Sequence, residues 1–227
     1  MLGWLQLTHS KTRFIVAASG VGLAVILVFM QLGFMAILFE STTTIHQQFD
    51  TDLVVISVDA EGIVPNSGSF SRHRLVQAAG QEGVADFADI YIATLNWTKP
   101  SDGTVGQITV FGVPTDARVF ARVELQAQLP GLRMPGTFLI DEGARGEYAD
   151  FFAQIVAAKR PTAKLGSETA TAIGTFRFGA TLGIDAMAIV SRETFLQLVP
   201  SRQPGVINMG LLHLAPGQDP NAIVDRI

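Results

Sequence analysis

The chain has 227 residues, no cysteine and a formal net charge of −4. This length allows one membrane helix and one mid-sized domain; the absence of cysteine excludes a disulfide framework, a thiol nucleophile and a cysteine-ligated metal site. All 20 acidic residues lie at or after Glu40, and no run of Lys or Arg occurs, so the composition argues against nucleic-acid binding.

An uncharged stretch of 26 residues, Phe14–Phe39, predicts a transmembrane helix. At about 1.5 Å rise per residue it exceeds the roughly 30 Å hydrocarbon core of a bilayer. The apolar part of a signal peptide is shorter, and a soluble helix of this length would carry a polar stripe. We therefore interpret the stretch as a retained anchor, with a cleaved signal peptide and a buried core helix as the alternatives.

Charged residues beside this helix predict its orientation. The positive-inside rule places the basic flank in the cytoplasm and the acidic flank outside. We expect a cytoplasmic segment 1–13, a transmembrane helix 14–39 and a periplasmic domain 40–227. Residues 2–9 could lie on the cytoplasmic membrane surface, with a frayed terminus as the alternative. The basic residues are Lys11 and Arg13, and the first acidic residues beyond the helix are Glu40, Asp50 and Asp52.

The outer domain is predicted to be α+β, because strand and helix patterns follow one another without regular alternation. Its composition leaves open a division into two lobes around residues 114–136. The predicted strands are Asp52–Val58, Tyr91–Trp97, Gln107–Val113, Thr137–Asp141, Thr169–Phe178, Met187–Ser191 and Val206–Leu214, with a turn at Pro100–Gly103. The predicted helices are Ser71–Ala79, Val119–Ala127, Glu142–Phe152, Glu193–Val199 and Asn221–Ile227.

The sequence shows no catalytic or metal-binding motif. Asp141 and Glu142 are adjacent carboxylates; an acid–base pair is one interpretation, and favourable acidic residues at a helix N-terminus are the more common one. Asn96–Thr98 matches a glycosylation sequon, a short match that often arises by chance. We predict no catalytic residue, no metal and no cofactor. The four histidines lack the i+4 partner of a helical zinc site and are interpreted as solvated surface residues: His9, His46, His73 and His213.

Several stretches of the outer domain form an ordered set of motifs. They are Tyr91–Asp116, Phe138–Tyr148, Ala172–Gly179, Gly183–Ser191 with Phe195–Pro200, and Ile207–Gly217. In this order they resemble the DevC-type permeases of ABC exporters, which belong to the wider group with a MacB-like periplasmic core and an FtsX-like membrane region. The resemblance covers essentially the whole chain, although no single motif is diagnostic.

The resemblance implies a permease subunit, or the N-terminal part of one, in the cell inner membrane. Its implied partners are a cytoplasmic ABC ATPase, a membrane-fusion (adaptor) protein with an outer-membrane duct, and a second copy or another permease. The subunit is not an enzyme in this interpretation and transmits ATP-driven motion. The family has three further membrane helices that this sequence does not contain, which implies a truncated or split permease, or a fragment. The alternative is a membrane-anchored extracytoplasmic enzyme such as a hydrolase, which needs polar groups converging in a pocket.

Overall fold

The computed structural model describes residues 11–60, 68–98, 103–145, 148–178 and 184–226, with the side chains of all of these except Arg13 and residues 36–46. The predicted surface segment 2–9, with His9, and turn residues Pro100–Asp102 lie outside the described residues. The chain divides into two compact units, Met1–Thr42 and Thr43–Ile227.

Helix α1 (Lys11–His46) contains 36 residues. Its segment Phe14–Met35 has 22 residues with a mean hydropathy of 2.3 and no buried part. Among the helices of the described residues, it is the one whose length and composition would let it cross a membrane. The helix continues past Phe39 through a polar stretch that ends at His46.

A mixed β-sheet forms the framework of the second unit. The strands of the described residues are β1 (Leu53–Ile56), β2 (Phe70–Ser71), β3 (Val84–Thr98), β4 (Val105–Val113), β5 (Thr137–Asp141), β6 (Thr162–Leu165), β7 (Glu168–Phe176), β8 (Met187–Ser191), β9 (Val206–Ile207) and β10 (Met209–Leu214). Eight of these described strands form one sheet in the order β1-β10-β3-β4-β8-β5-β7-β6, and β2 pairs with β9. Strand β6 also pairs with β3, through Trp97 opposite Leu165, so the strands from β3 to β6 close into a barrel.

Short helices cover this sheet. They are α2 (Arg72–Ala79), α3 (Val123–Gln126), α4 (Ala149–Val156), α5 (Arg192–Leu198) and α6 (Pro220–Val224), with a 3₁₀ helix at Leu129–Arg133. The predicted cap of α2 is confirmed, since the Ser71 side chain accepts a hydrogen bond from the His73 backbone N–H at 3.3 Å. The α+β class is confirmed, and Thr43–Ile227 form one compact unit rather than two lobes.

Two predicted helices are wrong in their bounds, for local reasons. The helix predicted at Glu142–Phe152 begins only at Ala149, because Asp141 accepts a hydrogen bond from the Gly143 backbone N–H and so forms a turn. The carboxylates of Asp141 and Glu142 therefore do not lie at a helix N-terminus. The helix predicted at Val119–Ala127 is reduced to the four residues of α3.

The core consists of two apolar clusters, one on each face of the sheet. The inner cluster fills the barrel with side chains such as Trp97, Ile108 and Phe138, and it continues beneath α2 and α5. The outer cluster lies on the opposite face, beneath α3 and the 3₁₀ helix. A residue that changes faces by a register slip would move from one cluster to the other, so the register of the central strands is strongly fixed.

Candidate functional site

The segment that directly follows α1 packs into the core of the outer domain. We call Gln48–Asp52 the post-helix anchor. Phe49, three residues after the end of α1, is 5% exposed and belongs to the outer cluster. Its ring stacks on Phe120 at 5.6 Å between centroids and tilts against Phe111 at 6.5 Å. The chain thus buries a large aromatic side chain immediately beyond the helix.

Backbone hydrogen bonds on both sides of Phe49 hold this arrangement. The Ala121 N–H donates to the Gln48 carbonyl at 3.0 Å, and the Asp50 N–H donates to the Val119 carbonyl at 2.9 Å. Phe49 and Phe120 lie opposite each other between these bonds as an antiparallel bridge. This pairing explains why Val119 and Phe120 are extended rather than helical.

The rest of the anchor bonds to strand β10. The Asp52 backbone N–H donates to the Leu212 carbonyl at 3.1 Å, and the Asp52 carboxylate accepts from the Leu214 backbone N–H at 2.8 Å. Strand β1 then begins at Leu53 and pairs with β10 along its length. Since the anchor and β10 are separated by about 160 residues, these contacts join distant parts of the chain.

An exposed ion pair completes the anchor. Arg118 donates from Nη2 to the Asp50 carboxylate at 2.6 Å and from Nε to the same oxygen at 3.0 Å. Hydrogen bonding to Asp50, followed by its charge, raises the pKa of Arg118 above its ordinary value. Both side chains are open to solvent, and exposed pairs contribute little to stability. The anchor therefore depends mainly on the burial of Phe49 and on the backbone hydrogen bonds.

The histidine prediction is corrected at one position. His213 is 5% exposed, because it lies on β10 beneath residues 118–120, and its Nε2 lies 3.1 Å from the Arg118 carbonyl. A carbonyl oxygen accepts, so this contact requires a hydrogen on Nε2. His73 is exposed as predicted. The side chains of His9 and His46 are not among those that the structure describes. His213 thus supports the same loop that pairs with the anchor.

Asp141 and Glu142 hold a turn rather than form an acid–base pair. Asp141 is 2% exposed, and its Oδ1 accepts from the backbone N–H of Gly143 at 3.0 Å and of Phe178 at 3.3 Å. Glu142 accepts instead from the Thr175 hydroxyl at 2.8 Å. Burial raises the pKa of Asp141, and its two backbone hydrogen bonds oppose that rise. Each carboxylate has its own structural partners.

We expect Asp141→Asn to stabilise the domain increasingly as the pH rises. Asn keeps an oxygen that can accept both backbone hydrogen bonds but carries no buried charge. Because the pKa of Asp141 is raised on folding, its contribution to stability is full below the unfolded-state pKa and is lost as the pH rises through the folded-state pKa. Thermal melts of the variant and the wild type from about pH 4 to neutrality test this.

Asp141→Ala is the matched variant for that series. It removes the acceptor as well as the charge, so two backbone N–H groups lose their partner, at a cost of about 1–3 kcal/mol for each unsatisfied group. We expect it to be destabilised at every pH. If the stability difference between Asp141→Asn and the wild type does not change with pH, the pKa of Asp141 is not raised on folding.

One cavity of the described residues, of about 1000 Å³, is a groove between the end of β1 and α2. Val55, Ile56 and Phe70 line it, and Asp59 and Arg74 are its charged side chains. Among the described residues, no group of three His, Asp or Glu side chains is placed to hold a metal ion.

Comparisons with known proteins give similarities of fold. No protein-family model matches the chain, and no curated protein sequence matches it. The structure is similar to the extracellular domain of the noncanonic ABC-type transporter YknZ from Gram-positive bacteria, with a TM-score of 0.45 and 12% identity over 77% of this chain and 88% of that one. It is also similar to the periplasmic region of MacB from Actinobacillus actinomycetemcomitans, with a TM-score of 0.48 and 7% identity over 76% of this chain and 78% of that one.

Proposed function

We propose that the chain is a permease-type subunit of an ABC exporter, or the N-terminal part of one, and that it passes motion of its membrane helix to an outer domain. In this proposal α1 spans the inner membrane with residues 1–13 in the cytoplasm, and the domain lies in the periplasm. The partners are a cytoplasmic ATPase, an adaptor protein and a second permease chain. The chain itself catalyses no reaction.

The observation that carries this proposal is the post-helix anchor. A packed element with discrete arrangements can transmit motion. A flexible linker after the helix would absorb any displacement. Here Phe49 is buried three residues beyond α1, and backbone hydrogen bonds flank it on both sides. In this proposal, a displacement that reaches Phe49 acts on the outer cluster and on β10.

The alternative of an anchored hydrolase lacks a comparable observation. A hydrolase needs a nucleophile, a base and donors for an oxyanion within reach of one another. The carboxylate pair weighed from the sequence, Asp141 and Glu142, is engaged in a turn and with Thr175. The described groove beside α2 has both apolar and polar lining residues, and these include one carboxylate, Asp59, and no histidine. We therefore propose no catalytic role.

The test is purification of the chain from its native membranes, followed by a comparison of two phenylalanine variants. We expect an ATPase and an adaptor to be recovered with the chain. We expect Phe49→Leu to lower the adaptor-stimulated ATP hydrolysis of this assembly several-fold, because a smaller side chain loosens the anchor at a cost of roughly 1–2 kcal/mol. The readout is the ATP hydrolysis rate with and without adaptor.

Phe151→Leu is the matched control, since Phe151 is also 5% exposed but belongs to α4 and to the inner cluster. It should lose similar stability and keep the stimulated rate. Equal loss of stimulation in both variants would show that stability, not the anchor, sets the rate. Failure to recover an ATPase, or hydrolysis by the chain alone, would overturn the proposed function itself.

A further inference from the structure

Two parts of the domain share a short sequence and the same local structure. Each is the end of a strand, a capping serine, an arginine at the first helical position and a buried apolar residue three positions later. In the first part the Ser71 side chain caps α2, and in the second Ser191 caps α5. The corresponding residues are Ser71, Arg72, Leu75, Gln77 and Ala78 in one, and Ser191, Arg192, Phe195, Gln197 and Leu198 in the other.

The two helices also pack in equivalent ways on either side of β3. Leu75 of α2 is fully buried against Gly210 of β10, and Phe195 of α5 is fully buried against Gly112 of β4. Strands β10 and β4 lie on either side of β3 in the sheet. In both places a glycine lets the helix approach the strand more closely than a side chain would allow.

The two arginines converge on one carboxylate of β3. Asp89 is 1% exposed, and its Oδ1 lies 2.6 Å from Arg192 Nη2 and 3.4 Å from Arg72 Nε. Its Oδ2 accepts no hydrogen bond from the described residues. A buried carboxylate is costly unless it is paired. Both helices thus contact the same carboxylate oxygen. We call the side chains of Asp89, Arg72 and Arg192 together the Asp89 latch.

The two arms of the latch are not equally strong. The Arg192 contact is short, and its helix is held further by Ser191, whose buried side chain bonds to both the backbone and the hydroxyl of Thr194. The Arg72 contact is longer, and in the same conformation its guanidinium carbon lies 5.4 Å from the centre of the Phe87 ring. Helix α2 is preceded by β2, a strand of two residues.

We propose that the Asp89 latch sets the position of α2 relative to α5, and that its Arg72 arm releases while its Arg192 arm holds. Release costs Asp89 little, because Arg192 still neutralises it. Arg72 keeps a favourable place over the aromatic face of Phe87. Helix α2 then has two positions against a fixed α5. This device belongs to the domain alone and does not depend on the proposed export function.

Distance measurements between the two helices test the latch in the full chain. The chain has no cysteine, so Gln77→Cys and Gln197→Cys place one spin label at each of two equivalent, exposed positions. We expect a narrow distance distribution in this background by pulsed electron paramagnetic resonance. Arg72→Gln should at least double its width by removing the weak arm. Adding Asp89→Asn to Arg72→Gln removes the Arg192 arm as well and should widen it further.

Asp86→Asn is the control, since Asp86 is an exposed carboxylate on the same strand. It should leave the distribution unchanged. Arg72→Gln keeps the buried Asp89–Arg192 pair, so it should remain folded in a thermal melt even if Asp89→Asn does not. A distribution for Arg72→Gln as narrow as that for Asp86→Asn would overturn the proposal, and so would widening that Asp86→Asn produces equally.

Discussion

Replacing Val25 with arginine should remove most of the chain from the membrane fraction. Val25 lies near the middle of Phe14–Met35, so the new charge is far from either surface. Insertion scales put this cost at about 2.5–3.5 kcal/mol at the helix centre, which lowers the insertion equilibrium by about two orders of magnitude. The measurement is the carbonate-resistant fraction of chain after expression.

Phe14→Arg is the matched control for this prediction. It introduces the same side chain at the end of the same span, where arginine can extend to the headgroup region. We expect nearly full membrane integration for this variant. If Val25→Arg remains integrated at the level of Phe14→Arg, the span does not depend on its central apolar residues, and its assignment as a lone anchor is wrong.

Local sequence signals predicted some elements to the residue. Thr137–Asp141 and Met187–Ser191 are strands with the predicted bounds, because both are apolar runs that stay buried on both faces. The capping serine of α2 was equally readable. In each case the information lies within a few neighbouring residues: apolar continuity, or a serine before a helical stretch.

Other elements depend on contacts that no local pattern contains. The first half of β3 carries Asp86 and Asp89, so the predicted strand began only at Tyr91; Asp89 is tolerated there because arginines from two distant helices reach it. Strand β6 is only four residues long, and its pairing with β3 joins residues far apart in the chain. Sequence alone could not supply these partners.

The candidate site could not be predicted from local sequence patterns either. Phe49 is one aromatic residue between Gln48 and Asp50, and nothing in that setting distinguishes an anchor from an exposed loop residue. Its role depends on Phe120, whose own segment was predicted to be helical. The one usable signal is a large apolar side chain among polar residues directly after a long helix, which is weak without its partner.

Alanine at Gly112 and at Gly210 should destabilise the domain through different atoms. A Cβ at Gly112 would lie 2.5 Å from Cβ and 2.7 Å from Cγ of Phe195. A Cβ at Gly210 would meet the end of the Leu75 side chain, with Cδ2 at 2.9 Å and Cδ1 closer. Overpacking of this kind costs about 1–3 kcal/mol, and we expect Gly112→Ala at the upper end because the Phe195 Cβ is fixed by the α5 backbone. Denaturant unfolding measures both losses.

Second substitutions separate the two cases. Leu75→Ala removes the three atoms nearest to a Cβ at Gly210, so Gly210→Ala should cost much less in that background, although Leu75→Ala alone creates a cavity. Phe195→Leu keeps Cβ and Cγ in place, so Gly112→Ala should cost as much with it as without it. Gly80→Ala is the control, because its φ of −76° suits alanine and its nearest contact is an ordinary 3.4 Å, so it should be neutral or slightly stabilising. Rescue of Gly112→Ala by Phe195→Leu would show that α5 can shift on the sheet, which is contrary to its role as the fixed side of the Asp89 latch.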